Sequence, residues 1–200
     1  MTELYLDKLT GVQLMHQCVI LVDNSNIFIE GQKFSARQKG VFKSSPTDKS
    51  PQDPAWRINF EQLILSLANG RKIHAAILVG SRPPKNDSVW DAAKQGGFEV
   101  IVHDRDSSNK EKAVDTELVA QGVKIILKAP EPMVLIIASG DRDFIPLVKT
   151  AQEEQWEVEM WAFSSSFSLT GEMATSVDRT MPLDQQFETI GKYDFEWPIP

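Results

Sequence analysis

Cysteine is almost absent. Cys18 is the single one in 200 residues, which excludes an intrachain disulfide framework. It stands inside an apolar run, so a buried and inert thiol is expected. Histidine is scarce too, with three, and His16, His74 and His103 keep no spacing to one another or to Cys18 that would hold zinc. His74 suits a structural place at the start of a strand, and His103 a weak contact at a strand's exit. Long hydrophobic runs are missing. None approaches the roughly 20 residues that cross a bilayer, and the opening MTELYLDKLT has neither the basic start nor the unbroken apolar core of a secretion signal. The expectation is a soluble, cytoplasmic protein with no membrane partner. Positive charge is in deficit, with 21 Lys and Arg against 28 Asp and Glu for a net −7. That argues against a general polyanion-binding surface, though not against a local basic rim around an acidic site.

What is present is a series of short apolar runs rich in β-branched residues: Cys18–Val22, Ile73–Val79, Phe98–Val102, Met133–Ala138 and Val158–Phe163. Such runs suit strands buried on both faces. Helical periodicity separates them. Phe60, Leu63, Ile64, Leu67 and Ala68 share one face. A second helix spans about Asp87 to Gln95 and stops at Gly96–Gly97. A third runs from about Asn109 to Leu127 behind the capping box Ser108-Asn109-Lys110-Glu111. A fourth opens at Pro146 and uses Leu147, Val148 and Ala151. Thr180–Leu183 suits a short sixth strand, and Asp184–Ile190 a last helical turn or two.

This alternation predicts an α/β fold: a single Rossmann-like domain whose mainly parallel sheet of five or six strands, in the order 3-2-1-4-5, carries helices on both faces. One domain is expected over residues 1–200, with its core in 18–187, a mobile insertion at 31–56 and a C-terminal tail at 188–200. The insertion concentrates Lys33, Arg37, Lys39, Lys43 and Lys49. It reads as a solvated loop or as a flap that touches phosphates near the end of the first strand. Trp56 at its edge could stack on a base, whereas Trp90, Trp156 and Trp161 read as core. The tail from Tyr193 to Pro200 reads as packing on the domain or as a contact of a homo-oligomer.

Four aspartates stand at element ends. Asp23 closes the first strand, Asp141 and Asp143 follow the fourth, and Asp115 lies near the start of the helix before the fourth. In the order 3-2-1-4-5 the first and fourth strands are neighbours, and their carboxyl ends flank the topological switch point. A lone Asp after a strand is usually a turn or cap residue. Four that converge repel one another, and a divalent ion relieves that repulsion. Hard oxygen donors suit Mg²⁺ or Mn²⁺, and phosphodiester hydrolysis is the reaction class such an ion serves. Arg82, Arg105 and Lys112 fall near the same edge, where each reads either as a phosphate contact or as surface solvation.

The motifs VDNSN at Val22–Asn26, KAVD at Lys112–Asp115 and SGDRDF at Ser139–Phe144 resemble the NYN family of the PIN-like nucleases, nearest to its LabA-like branch, also called DUF88. VEMWAF at Val158–Phe163 and the Ser168–Leu169 step fit the same branch. The resemblance implies a Rossmann-like sheet with an acidic pocket and a metal-dependent ribonuclease acting on RNA, most simply single-stranded. It implies Asp23, Asp115, Asp141 and Asp143 as catalytic metal carboxylates. Asn26 would shape the pocket and Ser139 would orient a ligand or a water. Two departures stand out: the length of the 31–56 segment, and Arg142, which suits a phosphate contact or an ion pair with a neighbouring Asp. A phosphohydrolase of the haloacid-dehalogenase type needs an acid two residues after Asp23, where this chain has Ser25. The competing reading of another class is a non-catalytic RNA- or nucleotide-binding or regulatory module on the same fold.

Overall fold

A computed structural model describes residues 17–43, 45, 47–82, 88–104 and 114–196; of Arg82 it describes the backbone alone. The main sheet comprises β1 (Gln17–Asp23), β3 (Lys72–Arg82), β4 (Glu99–Asp104), β5 (Val134–Ala138), β6 (Glu157–Ala162) and β7 (Arg179–Pro182). Its order is β4-β3-β1-β5-β6-β7, and every neighbouring pair is parallel. This is the expected order 3-2-1-4-5, with the short sixth strand added beside the fifth. Two strands stand outside it. β2 (Trp56–Ile58) and β8 (Gly191–Tyr193) pair antiparallel as a separate ribbon.

Side-chain alternation along each strand divides the core in two. Cys18, Ile20 and Val22 of β1 face one layer with α1 (Asn24–Gln38), α2 (Phe60–Ala68) and α3 (Ser88–Gln95). Val19 and Leu21 face the other, against α4 (Val114–Lys128), α5 (Ile145–Glu153) and α6 (Glu172–Ser176). The helix α7 (Phe187–Ile190) returns to the first layer. Both faces of the central strands are thus covered, which is why their sequences read as unbroken apolar runs. Cys18 is fully buried. Burial pushes its thiol up to about 11, with Arg71 pulling the other way, so it is the inert thiol the sequence suggests. Among the described residues no helix is long and apolar enough to cross a membrane.

The expectation of a loop over 31–56 is corrected at both ends. α1 continues without a break to Gln38, and Asp53, Ala55 and Trp56 are fully buried. Gly31, which looks like a breaker, is a close-packing site: a Cβ there would run into the Trp56 indole. Trp56 stacks on Phe187 with ring centroids 5.8 Å apart and planes 8° apart, so it is core and not a platform for a base. Polar neighbours Lys33, Arg37 and Gln38 mask the helical period that Ile27, Gly31 and Ser35 share. The capping box Ser108–Glu111, Arg105 and Lys112 lie outside the described residues.

Asp53 pins the return of the chain to α1. Its carboxylate accepts hydrogen bonds from Ser35 Oγ at 2.6 Å and from the Ala55 N–H at 2.9 Å, and pairs with Lys39 Nζ at 2.8 Å. Burial raises the carboxyl's affinity for a proton, but the bonds from Lys39, Ser35 and Ala55 outweigh that and hold it below the ordinary value of 3.8. Replacing Asp53 by Ala strands those donors and is expected to cost about 2 kcal/mol of stability at neutral pH. Because the folded-state value is depressed, this contribution is complete above 3.8 and is lost as the pH falls through the lower folded value. Urea unfolding of the wild type and Asp53→Ala should therefore show a gap at about pH 7 that narrows at about pH 3.

Candidate functional site

The parallel register aligns Val22 of β1 with Ala138 of β5. The next residue on each strand is therefore a neighbour of the other: Asp23 beside Ser139, at the carboxyl edge of the sheet. Ser139 is fully buried. Its hydroxyl donates to Asp23 Oδ2 at 3.2 Å and accepts from the Asp141 N–H at 3.2 Å. One hydroxyl thus ties together the loops after the first and fourth strands of the expected order. Asp23 is only 6 % exposed. Its other oxygen, Oδ1, accepts from the Asn26 N–H at 3.1 Å and so caps α1. This is the usual work of an Asp at that place, performed by a carboxylate that also faces a cavity.

That cavity, about 350 Å³, is lined by Asp23, Ser25, Asn26, Ile29, Glu30, Lys33, Val114, Asp115 and Asp141. Three of the four sequence-predicted carboxylates meet there, brought from β1, from the first turn of α4 and from the loop after β5. Asp115 and Glu117 occupy that first turn, where a negative charge is favoured by the helix dipole. α4 is seated by Gly122, whose missing side chain would lie 2.8 Å from Leu147 and 2.9 Å from Leu21. Asp141 caps a 3₁₀ turn, Arg142–Phe144, by accepting from the Asp143 N–H at 3.0 Å. Phe144 is fully buried beneath.

Asp143 does not line the cavity; it is exposed in that turn, as is Arg142. Among the described residues no three His, Cys, Asp or Glu side chains come together as a ready metal cluster. Asn26 does line the cavity, and its Oδ1 is buried with no hydrogen-bond partner among the described residues. Arg82 ends β3 at the same edge, whereas Arg105 and Lys112 fall outside the described residues. His103 lies 3.5 Å from Glu117 and is not part of the cavity's lining.

Two charged lining residues escaped the sequence reading in whole or in part. Glu30 is buried, and its carboxylate accepts from Lys33 Nζ at 2.6 Å and from Ser165 Oγ at 2.7 Å. It braces α1 against the loop after β6. Lys33, expected on a flap, is instead on the helix, so its charge reaches the cavity from a fixed element. The spacing of Asn26, Glu30 and Lys33, at i, i+4 and i+7, is the signal that places them on one helical face.

Gly140 fixes the other side of that loop. A Cβ there would stand 2.6 Å from Ser166 Oγ and 2.9 Å from the Ser166 carbonyl oxygen. The Gly140→Ala substitution is expected to destabilise the chain by about 1–3 kcal/mol, as overpacking does. Adding Ser166→Ala should restore only part of the loss, because the carbonyl contact remains; urea unfolding of the wild type and both variants measures this.

The NYN domain family model matches residues 19–184. A comparison with curated proteins gives no match. Among solved structures, the chain is similar to a protein of unknown function from Vibrio parahaemolyticus, with TM-score 0.61 and 18% identity over 88% of this chain and 98% of that one. That likeness shows the fold.

Proposed function

The chain belongs to the NYN domain family of the PIN-like nuclease superfamily, and from that premise we propose that it is a metal-dependent ribonuclease of the LabA-like branch. The observation that carries this reading is the convergence of Asp23, Asp115 and Asp141 on one cavity from three separate elements. The branch rests on the resemblance of VEMWAF at Val158–Phe163 and of the Ser168–Leu169 step.

The donor chemistry fits Mg²⁺ or Mn²⁺. Carboxylates and the Asn26 amide oxygen, which has no partner among the described residues, are hard oxygen donors. Asp23, Asp115 and Asp141 would hold it, with Asp143 as an outer carboxylate. When bound, such an ion lowers the pKa of a coordinated water and stabilises charge on a phosphoryl oxygen.

The chain's own groups supply the positioning. Asn26 N–H and Ser139 Oγ fix both oxygens of Asp23, so its carboxylate is oriented before any ligand arrives. Ser139 fixes the Asp141 backbone in the same way. Lys33, paired with Glu30 on the cavity wall, is proposed to turn to a phosphate. Arg82, Arg105, Lys112 and Arg142 are proposed as further phosphate contacts. The competing reading is a non-catalytic RNA or nucleotide binder that uses the same cavity.

Labelled single-stranded RNA and DNA, incubated with and without Mg²⁺ or Mn²⁺, separate the two. Cleavage of RNA that needs the metal and leaves 5′-phosphate and 3′-hydroxyl ends is expected. Asp23→Asn and Asp141→Asn should cost more than the roughly 10–100-fold typical of residues that only orient a ligand, and Asp143→Asn less than either. Equal cleavage by the wild type and these variants in EDTA would sink the proposal; tight RNA binding without turnover would favour the binding module.

A further inference from the structure

Two cations near the acidic cavity have no part in the site described so far. Antiparallel pairing of the β2–β8 ribbon sets Arg57 directly opposite Lys192. Like charges so placed destabilise a ribbon, and a two-stranded ribbon has little stability to spare. Asp194 offsets one of the two charges by pairing with Arg57 Nε at 2.8 Å. Lys192 is exposed, and no carboxylate among the described residues pairs with it. Arg57, Lys192 and Asp194 together thus keep a surplus of positive charge, in a chain whose net charge is −7.

Arg57 is held more firmly than a solvated arginine. Its Nη1 donates to the carbonyl oxygens of Pro54 at 2.6 Å and Trp56 at 2.9 Å. Its guanidinium stands over the Phe28 ring, 6.0 Å from the centroid. With Nε on Asp194, Nη2 is the nitrogen left without a partner among the described residues. An arginine ordered in advance loses little entropy when its remaining N–H groups take a ligand. Its charged donors suit the oxygens of a phosphate, and Lys192 adds a point charge on the same face of the ribbon.

The pair also stands in a telling place. Arg57, Lys192 and Asp194 line a hollow whose wall includes Ser25 and Ile29 of α1. The same two residues line the acidic cavity. Cations and carboxylates therefore lie on two sides of the first turns of α1. A polyanion that spans this wall would present one anionic group to the ribbon and another to the carboxylates. The carboxylates attract a phosphate only through a bound cation, whereas the ribbon carries its own charge.

We propose that Arg57 and Lys192 form a phosphate-binding site that anchors the backbone of the RNA strand beside the bond to be cut. The second half of this proposal rests on the nuclease reading above; the binding of backbone phosphate does not. Backbone contacts carry no sequence information, so the site sets the strand's position and not a base preference. It works without the metal.

Fluorescence anisotropy of a labelled single-stranded RNA, with the full chain in EDTA at rising salt, reads the site without turnover. Each phosphate contact on a single strand contributes about −0.7 to the slope of log affinity against log salt. Lys192→Ala is therefore expected to flatten the slope by about 0.7, and Lys192→Ala combined with Arg57→Gln by about 1.4. Lys192 is exposed, so its replacement should leave the fold intact; circular dichroism checks both variants. Lys72→Ala removes the same charge where β3 begins, at the opposite edge of the sheet, and should leave the slope unchanged. An unchanged slope in Lys192→Ala, an equal flattening in Lys72→Ala, or no binding by the wild type at low salt overturns the site. So does displacement of the RNA by polyglutamate as readily as by unlabelled RNA, which marks the pair as a site for acidic peptides instead. Metal-dependent cleavage scores the nuclease reading separately. Binding that depends on Lys192 in a chain that cleaves nothing keeps the site and ends that reading; cleavage with an unchanged slope in Lys192→Ala does the reverse.

Discussion

Everything at the carboxyl edge depends on one register, Val22 of β1 opposite Ala138 of β5. A parallel pair fixed at that register sets Asp23 beside Ser139, and a single buried hydroxyl then joins the two loops. A slip by one residue would exchange the two faces of a strand that is apolar throughout. Because both faces are buried, hydrophobicity alone would tolerate the slip; polar groups at the strand end would not. Asp23 would lose its donor from Ser139, and its cap on α1 would leave the edge. The polar cluster therefore defines the register as well as the chemistry.

α1 supplies more of the acidic cavity's lining than any other element, and the fold spends several contacts on holding it. Asp23 caps its start, Trp56 lies flat against Gly31 in its middle, and Asp53 binds Ser35 and Lys39 near its end. The ribbon of β2 and β8 carries Trp56 into place by pairing with the segment after α7. Residues at 191–193 thus support a helix that begins at residue 24. Glu30 adds the last brace, to Ser165. Fixed walls suit a site whose ligands must be positioned to within a fraction of an ångström.

The main sheet was legible because each strand is buried on both faces and its apolar run has no competing pattern. The convergence of Asp23, Asp115 and Asp141 was legible because it follows from strand order, and strand order follows from alternation of strands and helices. The extent of α1 was not, because half of its surface is polar and its close-packed residue is a glycine; only the distant Trp56 explains Gly31. Asp143 illustrates a further limit. Its spacing from Asp141 suggests a pair, yet the 3₁₀ turn that begins at Asp141 carries residue 143 to the exposed side. Turn geometry decides this, and S-G-D-R-D-F does not encode it in any periodicity. Glu30 stood outside the motifs altogether and is visible only once the helix is known to continue.

The opposite treatment of a buried carboxylate elsewhere in the sheet sharpens the functional reading. Glu159 in β6 is 1 % exposed. It accepts two bonds from Arg71, at 2.6 and 3.2 Å, and one from Trp161 Nε1 at 3.0 Å. Arg179 approaches to 3.7 Å. Such a group is closed on its partners: breaking the pair is costly, and a ligand has no way in. Asp23 lies at the carboxyl edge of the sheet instead, where the Asn26 N–H and Ser139 Oγ each hold one of its oxygens and the carboxylate lines a cavity. A hydroxyl and a backbone N–H are neutral donors, so these two bonds position the group without the countercharge that Arg71 brings to Glu159. On the proposed reading, serine at 139 positions Asp23 for a ligand where an arginine would pair with it.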